Sequence, residues 1–329
     1  PYLMKILLAP MEGVLDHTLR DILTRVGGID LCVTEFIRVT DQLLPQSVFH
    51  RLAPELGTGS LTPSGTPVIV QLLGNDPVAL GENAVRAAEM GAPGIDLNFG
   101  CPAKTVNKSR GGAILLKDPE EVYSITSGVS RALSGRVPLT AKMRLGFYDK
   151  SLALENAQAL EAAGARQIVV HARTKVEGYR PPAHWEWIAR IRESVSIPVI
   201  ANGEVWTLED HRRCREVSGC EDVMIGRGLI ANPFLAQQIK MDESCDAGDR
   251  HWPHVLELVM EYHRLVMQRV QSRHVHGRTK QWLQMMKRHF PQAGEVFMHI
   301  RTEQDPERIE QYLRRELSLC VANPDRQPA

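Results

Sequence analysis

The sequence predicts an α/β protein, a (β/α)₈ TIM barrel followed by a small all-helical C-terminal domain, and three observations lead to this prediction. Eight short apolar, β-prone runs recur along the part of the chain that ends near residue 230. Segments with helical periodicity separate these runs, at a spacing of roughly 30 residues, which is typical of repeated βα units. Beyond a polar stretch, only helical periodicity continues.

The predicted strands are short runs that end in polar or glycine residues. They are Ile6–Leu8, Leu31–Thr34, Val68–Leu72, Ile95–Leu97, Leu139–Met143, Ile168–Val170, Pro198–Ile200 and Val223–Ile225. Such continuous apolar runs indicate strands that are buried on both faces, as in parallel sheets.

The predicted helices lie between these strands. Glycine follows several of them, as after Val26, Met90 and Ala163, where a left-handed C-cap is needed. A doubly wound sheet is the alternative, but the turn after the first strand, residues 9–13, lacks the glycine-rich fingerprint of that fold. The helical segments are Leu15–Val26, Pro77–Met90, Pro119–Leu133, Ser151–Ala163 and Leu208–Val217.

The C-terminal part of the chain changes character at a polar stretch. Residues 241–250 are predicted to be a linker, and Val255–Val270, Thr279–Phe290 and Glu307–Leu317 have helical apolar spacing. We therefore predict four parts, which are a barrel domain over residues 1–240, the linker 241–250, a helical domain over 251–322 and a frayed tail at 323–329.

Charge is balanced overall but unevenly distributed. The chain has 39 Lys and Arg against 39 Asp and Glu, whereas Tyr262–Arg301 holds eight Lys or Arg, five His and the single acid Glu295. This asymmetry is typical of a surface that binds a polyanion, although a solvated helix face is the alternative for any one residue. No apolar run approaches the roughly 20 residues of a membrane span. Six cysteines without a C-x-x-C pair predict a reducing compartment and no metal site.

Barrel active sites form at the C-terminal ends of the strands. Gln71, Lys142 and His171 stand at such ends and suit a flavin mononucleotide, with Gln71 at the pyrimidine edge and Lys142 at the N1/O2 edge. Residues 202–204 and 226–228 lie on the loops where barrels usually bind phosphate. The latter loop begins a formal G-x-G-x-x-A match, but it follows the last strand, so a dinucleotide motif is not supported.

Cys101 follows a predicted strand at a sharp turn. Ile95–Leu97 leads into Asn98 and Gly100, and Pro102 disfavours the helical region for Cys101. This pattern can present a reactive thiol at the rim of a sheet, but a free cysteine is more commonly a small buried hydrophobe. The local sequence leaves both readings open.

The motifs taken together resemble the tRNA-dihydrouridine synthases, most closely the bacterial C subgroup. Residues 11–16, 41–45 and 280–283 carry the likeness to that subgroup. The family resemblance rests on motifs that occur in order along the barrel, which are Ala-Pro-Met-Glu-Gly (9–13), Thr-Glu-Phe (34–36), Val-Gln-Leu (70–72), Asn-Phe-Gly-Cys-Pro (98–102), Lys-Met-Arg-Leu-Gly (142–146), His-Ala-Arg-Thr (171–174), Ile-Ala-Asn-Gly-Glu (200–204) and Met-Ile-Gly-Arg-Gly (224–228).

The resemblance implies an FMN enzyme that takes hydride from NADPH and reduces a uridine in the tRNA D-loop, at position 16 in the C subgroup. Cys101 would be the acid that protonates C5, and Asn98 would hold the uracil edge. No metal is implied, and we expect a cytoplasmic monomer without an obligate protein partner. The flavin contacts implied by the family motifs are Pro10, Met11, Glu12, Gln71, Lys142, His171, Asn202, Gly203, Glu204, Gly226 and Arg227, and the expected tRNA contacts are Arg38, Asn98, Tyr179, Arg278, Lys280 and Arg301.

Two alternatives remain from the sequence. One is a flavin-dependent reductase of a small pyrimidine or a dihydroorotate-like substrate, which would have no use for basic helices. The other is a non-catalytic tRNA-binding protein on the same scaffold, which would have no need of Cys101 or Lys142.

Overall fold

The structure is a computed structural model that describes residues 3–242 and 251–323. Contacts between Cα atoms divide the chain into two compact units. The predicted linker lies outside the described residues from 243 to 250, as does the predicted tail from 324 onward. The domain boundaries therefore stay a prediction. The first unit comprises Pro1–His17, Ile29–Val205 and Glu209–Gly226, and the second comprises Thr18–Gly28, Trp206–Leu208 and Arg227–Ala329.

Eight parallel strands of the first unit close into a barrel, which confirms the predicted fold. β1 pairs with β9 on one side and β2 on the other, and β2 pairs with β4, so that the ring has no open edge. The short β3 pairs with β4 as an addition to the ring. The strands are β1 (Ile6–Leu8), β2 (Leu31–Val33), β3 (Ile37–Arg38), β4 (Val68–Leu73), β5 (Ile95–Phe99), β6 (Leu139–Arg144), β7 (Ile168–His171), β8 (Val199–Asn202) and β9 (Val223–Ile225).

Five strands continue past the predicted runs, by one residue in β4, β6 and β7 and by two residues in β5 and β8. β5 continues to Phe99 and β8 to Asn202, because Asn98 pairs in register with Lys142 and His171 with Asn202. The main-chain ladder does not depend on side-chain polarity, so the hydrophobic pattern alone ends these strands too early. Polar side chains of the barrel's C-terminal end are thus held on strands rather than on loops.

The barrel interior is filled by apolar side chains from alternate positions of its strands. Leu7, Val33, Ile69, Val169, Ile200 and Met224, with Ala9, form one buried cluster, against which Leu31 packs. A filled interior of this kind is typical of eight-stranded barrels and leaves the strand ends as the place for a binding cavity.

Helices begin at a repeated Asp-Pro signal. Asp76 accepts hydrogen bonds from two main-chain N–H groups at the start of α3, and Asp118 does the same for α5. The proline that follows occupies the first turn, where its missing N–H costs nothing. Among the helices before β9, the sequence prediction lacks α2, α4 and α7. The helices before β9 are α1 (His17–Val26), α2 (Gln46–Leu52), α3 (Pro77–Glu89), α4 (Lys104–Lys108), α5 (Pro119–Leu133), α6 (Ala153–Ala162), α7 (Trp185–Ser194) and α8 (Leu208–Ser218).

The second unit is helical and packs around two aromatic residues. Trp282 is buried, stacks edge-on against Tyr262 at 5.1 Å between ring centroids, and donates its indole N–H to the carbonyl of Ile230 at 3.0 Å. His263 is also fully buried and contacts Thr279 and the carbonyl of Pro306. The helices after β9 are α9 (Arg227–Ala231), α10 (Leu235–Met241), α11 (Trp252–Arg269), α12 (Ser272–Met286), α13 (Pro291–Ile300) and α14 (Pro306–Ala322).

Membrane-spanning helices and metal sites are both absent from the described residues. No helix within residues 3–242 and 251–323 is both long enough and apolar enough to cross a bilayer. No group of three or more His, Cys, Asp or Glu side chains in the same ranges has the arrangement that a metal ion needs.

Candidate active site

The C-terminal halves of the barrel strands, and the loops that follow them, surround a cavity of about 290 Å³. Residues from β4, β5, β6 and β7 contribute to its wall, and so does the turn after β1. The cavity thus brings together half of the predicted site residues, while Asn202, Gly203, Glu204, Gly226, Arg227, Arg38, Arg278, Lys280 and Arg301 do not line it. It is lined by Pro10, Met11, Glu12, Phe36, Gln71, Asn98, Gly100, Cys101, Pro102, Ala103, Lys142, Arg144, His171 and Tyr179.

Cys101 lies at this wall with its thiol half-buried, so it is not the buried hydrophobe of the alternative interpretation. Its main chain is held at both ends, because its N–H donates to Asn98 at 2.9 Å and its carbonyl accepts from the Asn107 amide at 2.9 Å. Burial raises the pKa of the thiol, and Glu12 raises it further against the opposing effects of Ala103, Arg144 and Lys142. At neutral pH the sulfur therefore retains its proton.

A chain of side-chain hydrogen bonds runs behind the cavity wall. The Asn98 amide donates to Gln71 at 2.9 Å, and the Gln71 amide donates to the buried Asp96 carboxylate at 2.7 Å. Thr140 donates to the other oxygen of Asp96 at 2.6 Å. Cross-strand register creates this chain, since Gln71 lies opposite Asp96 on β4 and β5, and Asp96 lies opposite Thr140 on β6.

Lys142 is the lysine of the cavity, and its surroundings weaken its hold on a proton. Burial lowers the pKa of its ammonium to about 8, and the nearby Arg144 contributes in the same direction. The charge of the nearby Asp96 raises the pKa of Lys142, in opposition to burial. Burial in turn raises the pKa of Asp96 itself. The ammonium is therefore a group whose charge changes close to physiological pH.

Arg144 holds two loops at the cavity rim. Its guanidinium donates to the carbonyl of Gly100 at 2.8 Å, and to those of Thr174 at 3.0 Å and Gly178 at 2.8 Å. Burial lowers its pKa, which the adjacent Tyr179 partly opposes. The planar guanidinium of Arg144 therefore binds both the turn before Cys101 and the loop that carries Tyr179. This fixes the distance between these two parts of the cavity wall.

His171 is fixed by a buried arginine. Arg173, whose side chain is fully buried, donates to Nε2 of His171 at 3.1 Å and forms an ion pair with Glu204. A guanidinium can only donate, so Nε2 of His171 accepts and the ring hydrogen is carried by Nδ1. Glu204 has a positive φ of 58°, a conformation that L-residues rarely adopt and that often occurs at functional sites.

Two glycines allow close packing at the ends of β8 and β9. Gly203 has a φ of +121°, and a Cβ there would lie 3.1 Å from the His171 ring. A Cβ on Gly226 would lie 3.2 Å from the sulfur of Met11. Asn202, beside Gly203, donates to the carbonyl of Met224 at 3.0 Å. These glycines let the His171 ring and the Met11 side chain pack closely against the main chain.

These features fit an FMN. Gln71 retains one unused N–H and one unused lone pair, which match the mixed donors and acceptors of the flavin pyrimidine edge. Lys142 supplies a cation in the same cavity. Arg227 is also predicted to contact the phosphate of the FMN. It is the first residue of α9 in the second unit, and its guanidinium lies 4.9 Å from the Trp206 ring centroid.

The residues predicted to contact tRNA are spread over both units. Tyr179 lines the cavity with half of its surface exposed, and the exposed Arg38 contacts the carbonyl of Thr105 at 3.5 Å. In the second unit Arg278 is half-buried and Arg301 is exposed. Lys280 is buried there, and its ammonium contacts the carbonyl of Glu303 and the ring of His276. These assignments remain predictions.

The structure adds three residues to which the sequence assigned no role. Asp96 is the acceptor behind Gln71, Arg144 fixes the rim, and Arg173 orients His171. Asp96 and Arg173 act through partners on neighbouring strands or loops. The register of the parallel strands is the signal that would have identified Asp96. For Arg144 and Arg173, the signal is their position after β-prone runs, at strand ends.

Sequence comparisons agree with this geometry. The sequence model of the family described as "Dihydrouridine synthase (Dus)" matches residues 7–318. The chain is 57% identical over 311 residues to the tRNA-dihydrouridine(16) synthase of Aquipseudomonas alcaligenes, with 94% of this chain and 99% of that protein covered. It is 56% identical to the protein of the same name from Pseudomonas putida, with 97% and 100% covered.

A third relative and one solved structure extend the comparison. The tRNA-dihydrouridine(16) synthase of Ralstonia nicotianae is 53% identical, with 93% of this chain and 94% of that protein covered. The structure of FabK from Thermotoga maritima is similar with a TM-score of 0.44 and 16% identity, and the match covers 69% of this chain and 59% of that chain.

Proposed function

The chain belongs to the dihydrouridine synthase family, and from this membership we propose that it reduces a uridine of the tRNA D-loop, at position 16, to 5,6-dihydrouridine. The observation that carries the proposal is the cavity in which the protonated Cys101 thiol shares one wall with Gln71 and Lys142. The relatives named tRNA-dihydrouridine(16) synthase support the choice of position.

FMN is the proposed cofactor, and when bound it would supply hydride to C6 of the uracil, with NADPH as the reductant. Lys142 would face the N1/O2 edge, and Gln71 the pyrimidine edge. Negative charge at the N1/O2 edge is best stabilised by a fixed cation in a site that excludes water. The residues proposed to hold the cofactor are Pro10, Met11, Glu12, Gln71, Lys142, His171, Asn202, Gly203, Glu204, Gly226 and Arg227.

Cys101 is the proposed acid. Addition of hydride at C6 moves negative charge to C5 and to the C4 oxygen, and C5 must then receive a proton. The raised pKa of the Cys101 thiol keeps that proton available at neutral pH. A uridine in a folded tRNA reaches such a cavity only if its base leaves the stack, and Asn98 would then hold the base edge.

Binding of the RNA is proposed to involve the basic helices of the second unit and the cavity rim. Lys and Arg gain affinity for RNA by neutralising phosphates, and unstacked bases supply specificity. The proposed contacts are Arg38, Asn98, Tyr179, Arg278, Lys280 and Arg301. We propose a cytoplasmic monomer that needs no protein partner.

The function is tested by mapping dihydrouridine in tRNA. Cells that lack this protein should lose dihydrouridine at position 16 and keep it elsewhere. The purified protein should be yellow, and with NADPH it should form dihydrouridine in an unmodified tRNA transcript. Turnover of free uracil or dihydroorotate without activity on tRNA would favour the small-molecule reductase instead, and a colourless protein that binds tRNA would favour the non-catalytic alternative.

We expect the affinity for tRNA to fall steeply with added salt and to depend on Arg278. Arg278→Glu should weaken tRNA binding by about tenfold and reduce the slope of log affinity against log salt by about 1 or more, because at least one phosphate contact is lost. Fluorescence anisotropy over a salt series measures both quantities. Arg131→Glu on α5 is the matched control, as an exposed arginine of the barrel unit that should leave binding unchanged. Affinity that is insensitive to salt contradicts the assignment.

A further inference from the structure

Two loops at the cavity end of the barrel run side by side. The main-chain N–H of Lys175 donates to the carbonyl of Gly146 at 2.9 Å, and that of Val176 donates to the carbonyl of Phe147 at 3.2 Å. Arg144, which lines the cavity, ends β6 immediately before the first of these loops. The loops after β6 and β7 therefore form one surface that continues from the cavity rim.

A tight turn of the first loop presents two adjacent aromatic side chains. A Cβ at Gly146 would collide with the carbonyl of Asp149, so only glycine fits this turn. The ring of Phe147 packs at right angles against that of Tyr148, with 4.6 Å between the centroids. Tyr148 nevertheless has 66% of its surface exposed, which is more than Tyr179 at the cavity wall has. The turn thus holds an aromatic ring out in solvent.

Two lysines extend over these rings. The ammonium of Lys117, which precedes α5, lies 5.2 Å from the Tyr148 centroid and 5.7 Å from that of Phe147. The ammonium of Lys175 lies 5.2 Å from the Phe147 centroid. Such cation–π contacts hold a lysine in place without cancelling its positive charge. Lys117, Phe147, Tyr148 and Lys175 together form what we call the aromatic–lysine patch.

The carboxylates closest in sequence to this patch bind other partners. Asp118 accepts from main-chain N–H groups at the start of α5, and Asp149 accepts from the N–H and the hydroxyl of Ser151. Glu177 contacts the ring of His184 at 2.6 Å. No ion pair formed within residues 3–242 and 251–323 includes either lysine of the patch. The patch therefore carries two positive charges beside an exposed ring.

Building on the proposed function, we propose that the aromatic–lysine patch binds a D-loop nucleotide next to the target uridine, with its base on the Tyr148 ring and its flanking phosphates at Lys117 and Lys175. Bases of single-stranded RNA stack on aromatic side chains whatever their identity, and adjacent lysines neutralise the backbone. A target base that has left the stack deprives its neighbour of a stacking partner. A ring beside the cavity would replace that partner.

The chemistry of the patch favours an unpaired segment over a stem. A stem offers phosphates to lysines, but its paired bases are covered by their neighbours in the stack and leave no face for Tyr148. An unpaired loop from which one base is extruded offers both a phosphate and an open base face. Both parts of the patch are used only in the second case.

Removal of single bases from the D-loop tests the stacking. Synthetic forms of one substrate tRNA each lack one base outside the target position, and fluorescence anisotropy measures their affinity. For the wild type, one of these abasic tRNAs should bind about tenfold more weakly, as expected for one stacked base. Tyr148→Ala should bind the intact tRNA about tenfold more weakly and lose nothing further with that abasic form. Tyr148→Phe keeps the ring and should behave like the wild type.

Salt dependence separates the two lysines from the ring. Lys117→Met and Lys175→Met keep an apolar stem over the rings but remove the charge, so each should reduce the slope of log affinity against log salt by about 1. Tyr148→Ala should leave this slope unchanged, because a neutral ring releases no counterions. Tyr123→Ala removes another exposed tyrosine, on α5, and is the matched control that should change neither affinity nor slope.

Three results would each overturn the inference. Tyr148→Ala could bind the intact tRNA as tightly as the wild type does. Every abasic tRNA could cause the same loss of affinity in both proteins, or both lysine variants could keep the wild-type salt slope. Failure of the proposed function looks different, since the wild type would then form no dihydrouridine in tRNA, whereas the coupling between Tyr148 and the missing base is measured by binding alone.

Discussion

Cys101→Ala is expected to lower dihydrouridine formation by about 10²–10⁴-fold while leaving bound flavin in place. The range is that of general acids that transfer one proton in the transition state. Flavin binding should survive because the flavin contacts proposed for this cavity come from other strand ends, and because the turn is held by main-chain groups that an alanine retains. Single-turnover assays with saturating tRNA measure the loss, and absorbance near 450 nm measures the flavin.

Two variants serve as controls for this prediction. One removes a different cysteine, and the other places serine at position 101. Cys320→Ala removes a buried thiol from α14, in the second unit, and should leave the rate unchanged. Cys101→Ser keeps the shape but has a hydroxyl that gives up its proton far less readily, so it should be nearly as slow as alanine. A Cys101→Ala enzyme with an unchanged single-turnover rate would remove Cys101 from the chemistry.

The residues that the sequence identified share one property. Gln71, Lys142 and His171 are polar residues at the ends of apolar runs, so a pattern confined to one strand was enough to find them. Closure of the barrel then places all three around the cavity. The eight strands were predictable for the same reason, because buried parallel strands are apolar on both faces.

Asp96, Arg144 and Arg173 could not be assigned a role in this way. Asp96 stands between Ile95 and Leu97, and its role depends on Gln71 and Thr140, which lie opposite it on neighbouring strands. Arg173 acts on His171 only because Glu204, on the loop after β8, holds its guanidinium. Such roles depend on register between distant segments, which a single sequence does not specify.

Lys142→Met is expected to lower turnover at pH 7 by about 10²–10³-fold and to abolish a decline at high pH. Burial and Arg144 lower the pKa of Lys142 to about 8, so its charge is present below that pH and is lost as the pH rises through it. If the ammonium stabilises negative charge in the transition state, the wild-type rate should fall above about pH 8. Loss of one such group typically costs this much.

Two variants of Lys142 test whether its charge causes that decline. The pKa of the Cys101 thiol is raised from its ordinary value by burial, so its deprotonation is displaced to higher pH than that of an exposed thiol. Lys142→Arg retains its charge at every accessible pH and should give a slower but flat profile between pH 7 and 9. Single-turnover rates across this range, with flavin content checked by absorbance, decide the matter. A decline near pH 8 that persists in both variants would have to come from another group, and the charge of Lys142 would then not be needed for the reaction.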